Sequence, residues 1–209
     1  MTTFYNADRS ASATVQLDTY GDFHSFCFDE ALARSCDVLL ATDQLQGFFD
    51  DDIYASVTVS SERSINKAIG QARRAGNRVF FVEICDQLEQ TVRIQQSSQS
   101  LCRFDSRFEG VIIVRAKDWK ELVSPDFSSA FVEVKMDEAA QWATAWLNLE
   151  IYEILTDERV LGPFLTEKDA LQTLHSDLPD LKFTDDDFDC KSDDSFMLKP
   201  KAEAQLKVA

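Results

Sequence analysis

The chain has 209 residues with 37 acidic and 21 basic side chains, which gives a net charge of −16 at neutral pH. Phosphate contacts need clustered lysine and arginine, so this charge disfavours a nucleic-acid-binding surface. It is compatible with a basic protein partner, or with acidity that serves solubility. The hydrophobic content of 44% is enough to fill a globular core, and no run of about 18 apolar residues predicts a membrane span.

The cysteines and histidines give no sign of a disulfide framework or a metal site. The five cysteines are scattered and odd in number, which is typical of reduced thiols in a cytosolic protein. The two histidines, His24 and His175, are far apart and belong to no ligand cluster. The N-terminal segment has no basic start and no apolar run, so no secretory signal is predicted and the expected location is cytoplasmic.

The first half of the chain alternates between strand and helix patterns. Period-two alternation predicts strands, apolar residues at helical spacing predict helices, and a nearly continuous apolar run predicts a central strand. The predicted elements are, in order, a short strand in TTFY, a strand in ATVQLD, a helix from Phe26 to Leu40, a strand in IYASVTV, a helix in SSERSINKAIGQARRAG and a central strand in NRVFFVEI.

The second half continues the same mixture, and the composition changes after Pro179. The segment 180–196 holds seven aspartates against two lysines, so we predict a domain over 1–178 and an acidic tail over 179–209. The fold class is α+β. The predicted elements are a strand around Val92, a strand in FEGVIIVRA, a short helix stopped by Pro125, a strand in SAFVEVKM, a helix in DEAAQWATAWLNL, two strands around a turn at Asp157 and a helix in TEKDALQTLHSDLP.

Three segments in this order carry a resemblance to a known family: FYNADR near the start, YASVTVSSERS in the middle and EIYEIL late in the chain. Together they resemble the ADP-ribosyltransferase superfamily, whose members have a motif on the first strand, an aromatic-x-Ser-x-Ser/Thr strand and a late strand with a glutamate. The resemblance spans roughly residues 3 to 162. It implies an α+β fold with a split β-sheet core and flanking helices.

The resemblance also implies a chemistry, the transfer of ADP-ribose from NAD, the substrate, to a protein or nucleic-acid acceptor in a toxin, effector or phage-conflict setting. Glu153 would hold the ribose and stabilise the oxocarbenium-like transition state as nicotinamide leaves. Tyr5 would stack on the nicotinamide or wall its pocket. Ser56 and Thr58, two apart on a strand and therefore on one face, would bind the ribose or position the glutamate.

The sequence departs from the family pattern in its first motif, and two glutamates are candidates for the catalytic acid. Asn6 stands where arginine or histidine is expected, so the site is either weakened or inactive, and Arg9 is a candidate substitute for the missing charge. Glu109 also opens a strand and competes with Glu153 as the catalytic acid. The resemblance requires the three motif strands to be neighbours, with Asn6, Ser56, Thr58 and one of the two glutamates in one pocket.

A second function class rests on the charge alone. A non-enzymatic acidic protein, either an inhibitor or a nucleic-acid mimic, would use the net charge of −16 to occupy a basic partner. The acidic tail is expected to dock on that partner or on a basic cleft of the protein itself. A transferase fold that has lost its activity and binds only is a third alternative.

Overall fold

The computed structural model describes residues 2–5, 12–18, 30–49, 56–86, 89–97, 106–156, 160–177, 188–190 and 196–198. These residues form two β-sheets and six helices, which confirms a mixed α+β class in general terms. The strands are β1 (Thr2–Tyr5), β2 (Ser12–Leu17), β3 (Cys36–Leu40), β4 (Ser56–Val59), β5 (Arg78–Asp86), β6 (Gln90–Gln95), β7 (Ser106–Val114), β8 (Tyr152–Thr156), β9 (Val160–Phe164), β10 (Phe188–Cys190) and β11 (Phe196–Leu198). The helices are α1 (Glu30–Ser35), α2 (Gln46–Phe49), α3 (Glu62–Arg74), α4 (Ala116–Leu122), α5 (Ser129–Leu147) and α6 (Glu167–Asp177).

The chain divides into two compact units. One, the central unit, is the continuous segment Asp22–Asn148, and the other, the terminal unit, combines Met1–Gly21 with Leu149–Ala209. These units divide the chain differently from the predicted boundary at 178/179, which stays a prediction. No helix among the described residues is both long enough and apolar enough to cross a membrane.

The terminal unit is built on a six-stranded sheet with the order β10-β11-β1-β2-β8-β9. Strand β2 alternates as predicted: Ala13 and Val15 are buried, while Thr14 and Gln16 are half-buried on the other face. Two short strands from the predicted acidic tail belong to this sheet, since β11 pairs in parallel with β1 and β10 pairs with β11. Helix α6 closes the core, whose buried members are Phe4, Ala13, Val15, Ile154, Ala170 and Leu174.

The central unit is built on a five-stranded sheet with the order β4-β3-β7-β5-β6. Helix α3 lies on one face because its buried residues recur at helical spacing. Ser61 accepts a hydrogen bond from the Ser64 backbone N–H at 3.4 Å and caps this helix, and Gly76 follows it with a positive φ of 78°, as the sequence predicts. The cluster beneath α3 consists of Ile65, Ile69, Ala72, Val79, Val111 and Ile113.

The predicted helix from Phe26 to Leu40 is wrong over its last five residues. Helix α1 ends at Ser35, and Cys36–Leu40 forms strand β3, with Cys36, Val38 and Leu40 buried. Apolar residues in this stretch satisfy both helical and alternating spacing, so the local pattern does not decide between them. Pairing with neighbouring strands selects the strand over the helix, because β3 forms backbone hydrogen bonds with β4 on one side and with β7 on the other. The first part of the predicted helix, 26–29, lies outside the described residues.

The strand predicted in SAFVEVKM is also wrong. Those residues open the 19-residue helix α5, whose Ser128 cap accepts a hydrogen bond from the Phe131 backbone N–H at 3.3 Å. Val132, Met136 and Ala143 are fully buried at helical spacing, which continues into the segment that was predicted as helix. The alternating pattern covers only the first eight residues, whereas the helical pattern continues over all 19 residues of α5, so the helical pattern prevails.

Candidate functional site

The residues predicted to form one site belong to two different units. Tyr5 ends strand β1 and Glu153 lies on β8, and both strands belong to the sheet of the terminal unit with β2 between them. Ser56 and Thr58 lie on β4 in the sheet of the central unit. Asn6 and Arg9 lie outside the described residues.

The three motif strands do not pair with one another, and the expectation that their side chains line one pocket stays a prediction. Strand β4 pairs in parallel with β3, and it finds that partner because Cys36–Leu40 is a strand rather than the predicted helix. Ser56 and Thr58 are exposed on this edge strand. The run of hydroxyl residues ends in the helix cap at Ser61, a role that the sequence already suggests.

Glu153 is a buried carboxylate with one clear partner. Its side chain is 6% exposed, and its Oε1 accepts a hydrogen bond from Gln16 Nε2 at 2.7 Å. The two residues face each other directly in the register of β2 and β8. On the neighbouring pair of strands the hydroxyls of Thr3 and Thr14 are 3.0 Å apart. A polar strip thus lies on the face of this sheet away from its apolar core.

Glu109, the alternative acid, does lie in the sheet that contains β4, but it is not beside Ser56. Ser56 is level with Asp37 at the start of β3, whereas the Glu109 carbonyl accepts a hydrogen bond from Ala41 N at 2.6 Å beyond the end of that strand. The Glu109 side chain is 1% exposed. It accepts hydrogen bonds from Arg107 Nε at 2.7 Å and from the hydroxyl of Thr42.

A β-bulge places Glu109 in that network. Strand β5 pairs Val82 with Gly110 and then Glu83 with Phe108, so Glu109 has no partner in this ladder. Without the bulge Glu109 would stand opposite Glu83. Gly110 permits the close approach, since a Cβ there would lie 2.2 Å from the Leu39 carbonyl oxygen. Bulges of this kind redirect side chains, and they are frequent next to functional sites.

The redirected Phe108 forms one wall of a groove between α3 and the sheet of the central unit. The groove has a volume of about 360 Å³, within the range of ligand-binding clefts. Its aromatic walls are Phe81 and Phe108, whose ring centroids are 6.5 Å apart. The groove is lined by Glu62, Ile65, Asn66, Ile69, Phe81, Glu83 and Phe108.

Glu83 gives this groove its electrostatic character. The side chain is 5% exposed, and burial raises the pKa of its carboxyl group. The positive charge of Arg93, directly across the strand pair, lowers this pKa but offsets only part of the rise. Its described hydrogen bond, from Gln95 Nε2, is long at 3.5 Å. A buried carboxylate with such weak compensation is costly in the free protein and favours any ligand that brings a positive charge.

Glu83 is not among the residues predicted for the site, although the sequence contains a signal for it. A single glutamate interrupts the nearly continuous apolar run in NRVFFVEI, which predicts a central strand. A charged residue in a buried strand needs either a partner or a function. Period two places Glu83 on the same face as Phe81, but the identity of the facing helix and of Phe108 follows only from the tertiary structure.

Two other chemistries find no support in the part of the chain that the structure describes. No group of three or more histidine, cysteine, aspartate or glutamate residues is placed to hold a metal ion there. Burial raises the pKa of the Cys36 thiol to about 12, so this cysteine is a poor nucleophile at neutral pH.

Comparison of the chain with protein-family models, with curated proteins and with solved structures finds no match.

Proposed function

We propose that this chain is a binding protein for a positively charged partner and that the groove of the central unit receives a cationic side chain of that partner. The observation that carries the proposal is the buried, weakly compensated carboxylate of Glu83 in a groove that Phe81 and Phe108 also line. The net charge of −16 favours the approach of such a partner over long range.

The lining of the groove matches both the aliphatic stem and the charged end of a lysine or arginine side chain. The aliphatic stem of such a side chain packs on apolar surface, here Ile65 and Ile69, while the charged end reaches the carboxylate. Phe81 and Phe108 add a face on which a cation is attracted by the ring electrons. Glu62 at the exposed rim supplies a second negative charge.

The test uses the full chain and three small probes, Nα-acetyl-lysinamide, Nα-acetyl-argininamide and the neutral Nα-acetyl-norleucinamide, titrated in NMR experiments. We expect the two cations to shift the signals of the groove residues and the neutral probe to bind at least tenfold more weakly. Glu83→Gln should weaken cation binding by about 10- to 150-fold, as expected for a charge-assisted hydrogen bond of about 1.5–3 kcal/mol.

Glu121→Gln is the matched control, since it removes the same charge from an exposed position on α4 outside the groove. It should leave the affinity within a factor of two of that of the native chain. Equal binding of the neutral probe, or equal losses in the two variants, would contradict the proposal because the interaction would then be apolar or a response to net charge alone.

ADP-ribosyl transfer is the second candidate. It is favoured by one observation, the buried Glu153 carboxylate that Gln16 holds in the same sheet as the strand ending at Tyr5. In this proposal Glu153 stabilises the ribosyl cation as nicotinamide leaves NAD. The strand pairing of Ser56 and Thr58 in the other sheet gives it no support.

NAD turnover separates the two candidates. A weakened transferase should gain at least tenfold in NAD consumption when Asn6→His or Asn6→Arg restores the group that the family pattern expects, and Glu153→Gln should remove the gain. A folded protein that neither binds nor consumes NAD in any of these forms would exclude the transferase and leave the cation-binding proposal intact.

A further inference from the structure

Helix α3 carries a row of positive charges beside the groove. Arg63, Lys67 and Arg74 lie within about 40° of one another around the helix, on the side opposite the buried Ile65 and Ala72. We call these three residues the basic stripe. All three are exposed, and none forms a salt bridge with another described residue. The stripe is about 16 Å long at 1.5 Å per residue.

The stripe borders the groove along the helix. Glu62 and Asn66 line the groove, and each is followed directly by a member of the stripe, Arg63 and Lys67. Consecutive residues differ by about 100° around a helix, so the two basic side chains stand on the outer rim. A ligand that fills the groove and continues across α3 therefore meets negative charge first and positive charge next.

We propose that this arrangement selects a partner segment in which one basic side chain is flanked by acidic residues, and that it rejects polybasic segments. The inference rests on the proposed function and specifies the partner of the same groove. Neighbours two or three positions from the inserted side chain lie about 7–10 Å from it in an extended segment. The Debye length is about 8 Å at 0.15 M salt, so the stripe acts on flanking side chains that lie within about that distance of it.

Both parts of this selection follow from charge complementarity. Acidic flanks find Arg63 and Lys67 without a competing ion pair among the described residues, whereas basic flanks are placed against like charges. Rejection by a repulsive element is a common way to obtain specificity when the attractive pocket alone accepts any cation. The net charge of −16 by itself would favour the opposite order, with the most basic segment bound best.

The experiment measures, at 0.15 M salt, the affinity of the full chain for three peptides with one central lysine. Their positions two and three residues away on each side are aspartate, serine or lysine. We expect the aspartate-flanked peptide to bind at least about threefold more tightly than the serine-flanked one, and the lysine-flanked peptide to bind weakest. The double variant Arg63→Gln/Lys67→Gln should abolish or reverse this order.

Lys117→Gln/Lys120→Gln on α4 is the control, since it removes two exposed charges of the same sign outside the groove and should keep the order. If the lysine-flanked peptide binds best to the native chain, or if both double variants change the order equally, the inference is wrong while the groove proposal survives. If no peptide binds and Glu83→Gln changes nothing, both are wrong.

Discussion

At the scale of single residues, Glu83 and the hydroxyl side chains of β4 have opposite environments. Ser56 and Thr58 are exposed on an edge strand, and the following hydroxyls lead into a helix cap. Glu83, which stands inside an apolar strand, has a buried carboxylate with a raised pKa. Polar residues on a solvent face carry no desolvation cost, whereas a buried carboxylate lowers the stability of the fold unless it is compensated. Glu83 is therefore the stronger indication of a ligand.

The raised pKa of Glu83 predicts how stability depends on pH. The folded protein holds this proton to a higher pH than the unfolded chain, so the stabilisation is complete below the ordinary value of 4.5 and is lost as the pH rises through the raised value. Glu83→Gln carries no such proton. Between pH 4 and pH 7 the native chain should therefore lose stability relative to this variant, as measured by urea unfolding.

Glu121→Gln, which removes an exposed carboxyl group, is measured in the same series as the control for the loss of one charge. A native-minus-Glu83→Gln difference that stays constant from pH 4 to pH 7 would show that the Glu83 carboxyl does not titrate differently in the folded state. Binding of a cation should show the reverse trend and weaken as the pH falls, because protonation removes the charge that the ligand meets.

At the scale of elements, the bulge in β7 links strand pairing to the composition of the groove. It moves Glu109 out of the ladder and puts Phe108 opposite Glu83, so one inserted residue replaces a second carboxylate with an aromatic wall. Two glutamates facing each other across a strand pair would repel, since like charges directly opposite are unfavourable. The bulge thus keeps Glu83 as the single buried carboxylate that lines the groove.

Gly110→Ala tests this role of the bulge. The added Cβ would stand 2.2 Å from the Leu39 carbonyl oxygen, and backbone on both strands must move to relieve that contact. We expect a loss of roughly 1–3 kcal/mol in the free energy of unfolding, and a loss of cation binding because Phe108 shifts. Guanidinium unfolding and the lysinamide titration measure the two effects.

Gly70→Ala is the control for Gly110→Ala. Its Cβ would meet nothing within 4 Å on helix α3, and alanine is the better helix former, so a gain of about 0.5–1 kcal/mol is expected. Equal effects of the two substitutions on stability would mean that the sheet does not depend on the close contact between Gly110 and the Leu39 carbonyl oxygen.

At the scale of the whole molecule, the two units differ in continuity and in charge density. The central unit is one continuous segment, whereas the terminal unit pairs β2 from the N-terminal segment with β8 from the C-terminal one. The terminal unit has 17 acidic against 8 basic residues, and the longer central unit has 20 against 13. The groove and the basic stripe both belong to the central unit, so its binding properties should not need the other unit.

The fragment 22–148 tests this independence. We expect it to unfold in a single cooperative transition and to keep the lysinamide affinity of the full chain, since the five strands of its sheet pair only with one another among the described residues. The fragment 149–209 should lack a cooperative transition because β8 has lost β2. A fragment 22–148 that folds only when the rest of the chain is present would contradict the division into independent units.

Local sequence patterns are enough to predict the elements that are long or bounded by clear signals, such as the apolar strand β5, the capped helix α3 and the pair of strands at 152–164. Their periodicity, caps and turn residues are local, so they can be read without knowing the fold. The tertiary structure alone decided that 36–40 is a strand and that 129–147 is one helix. It also decided which residues meet Glu83, because those contacts depend on register, on a bulge and on partners far away in the chain, none of which leaves a local pattern.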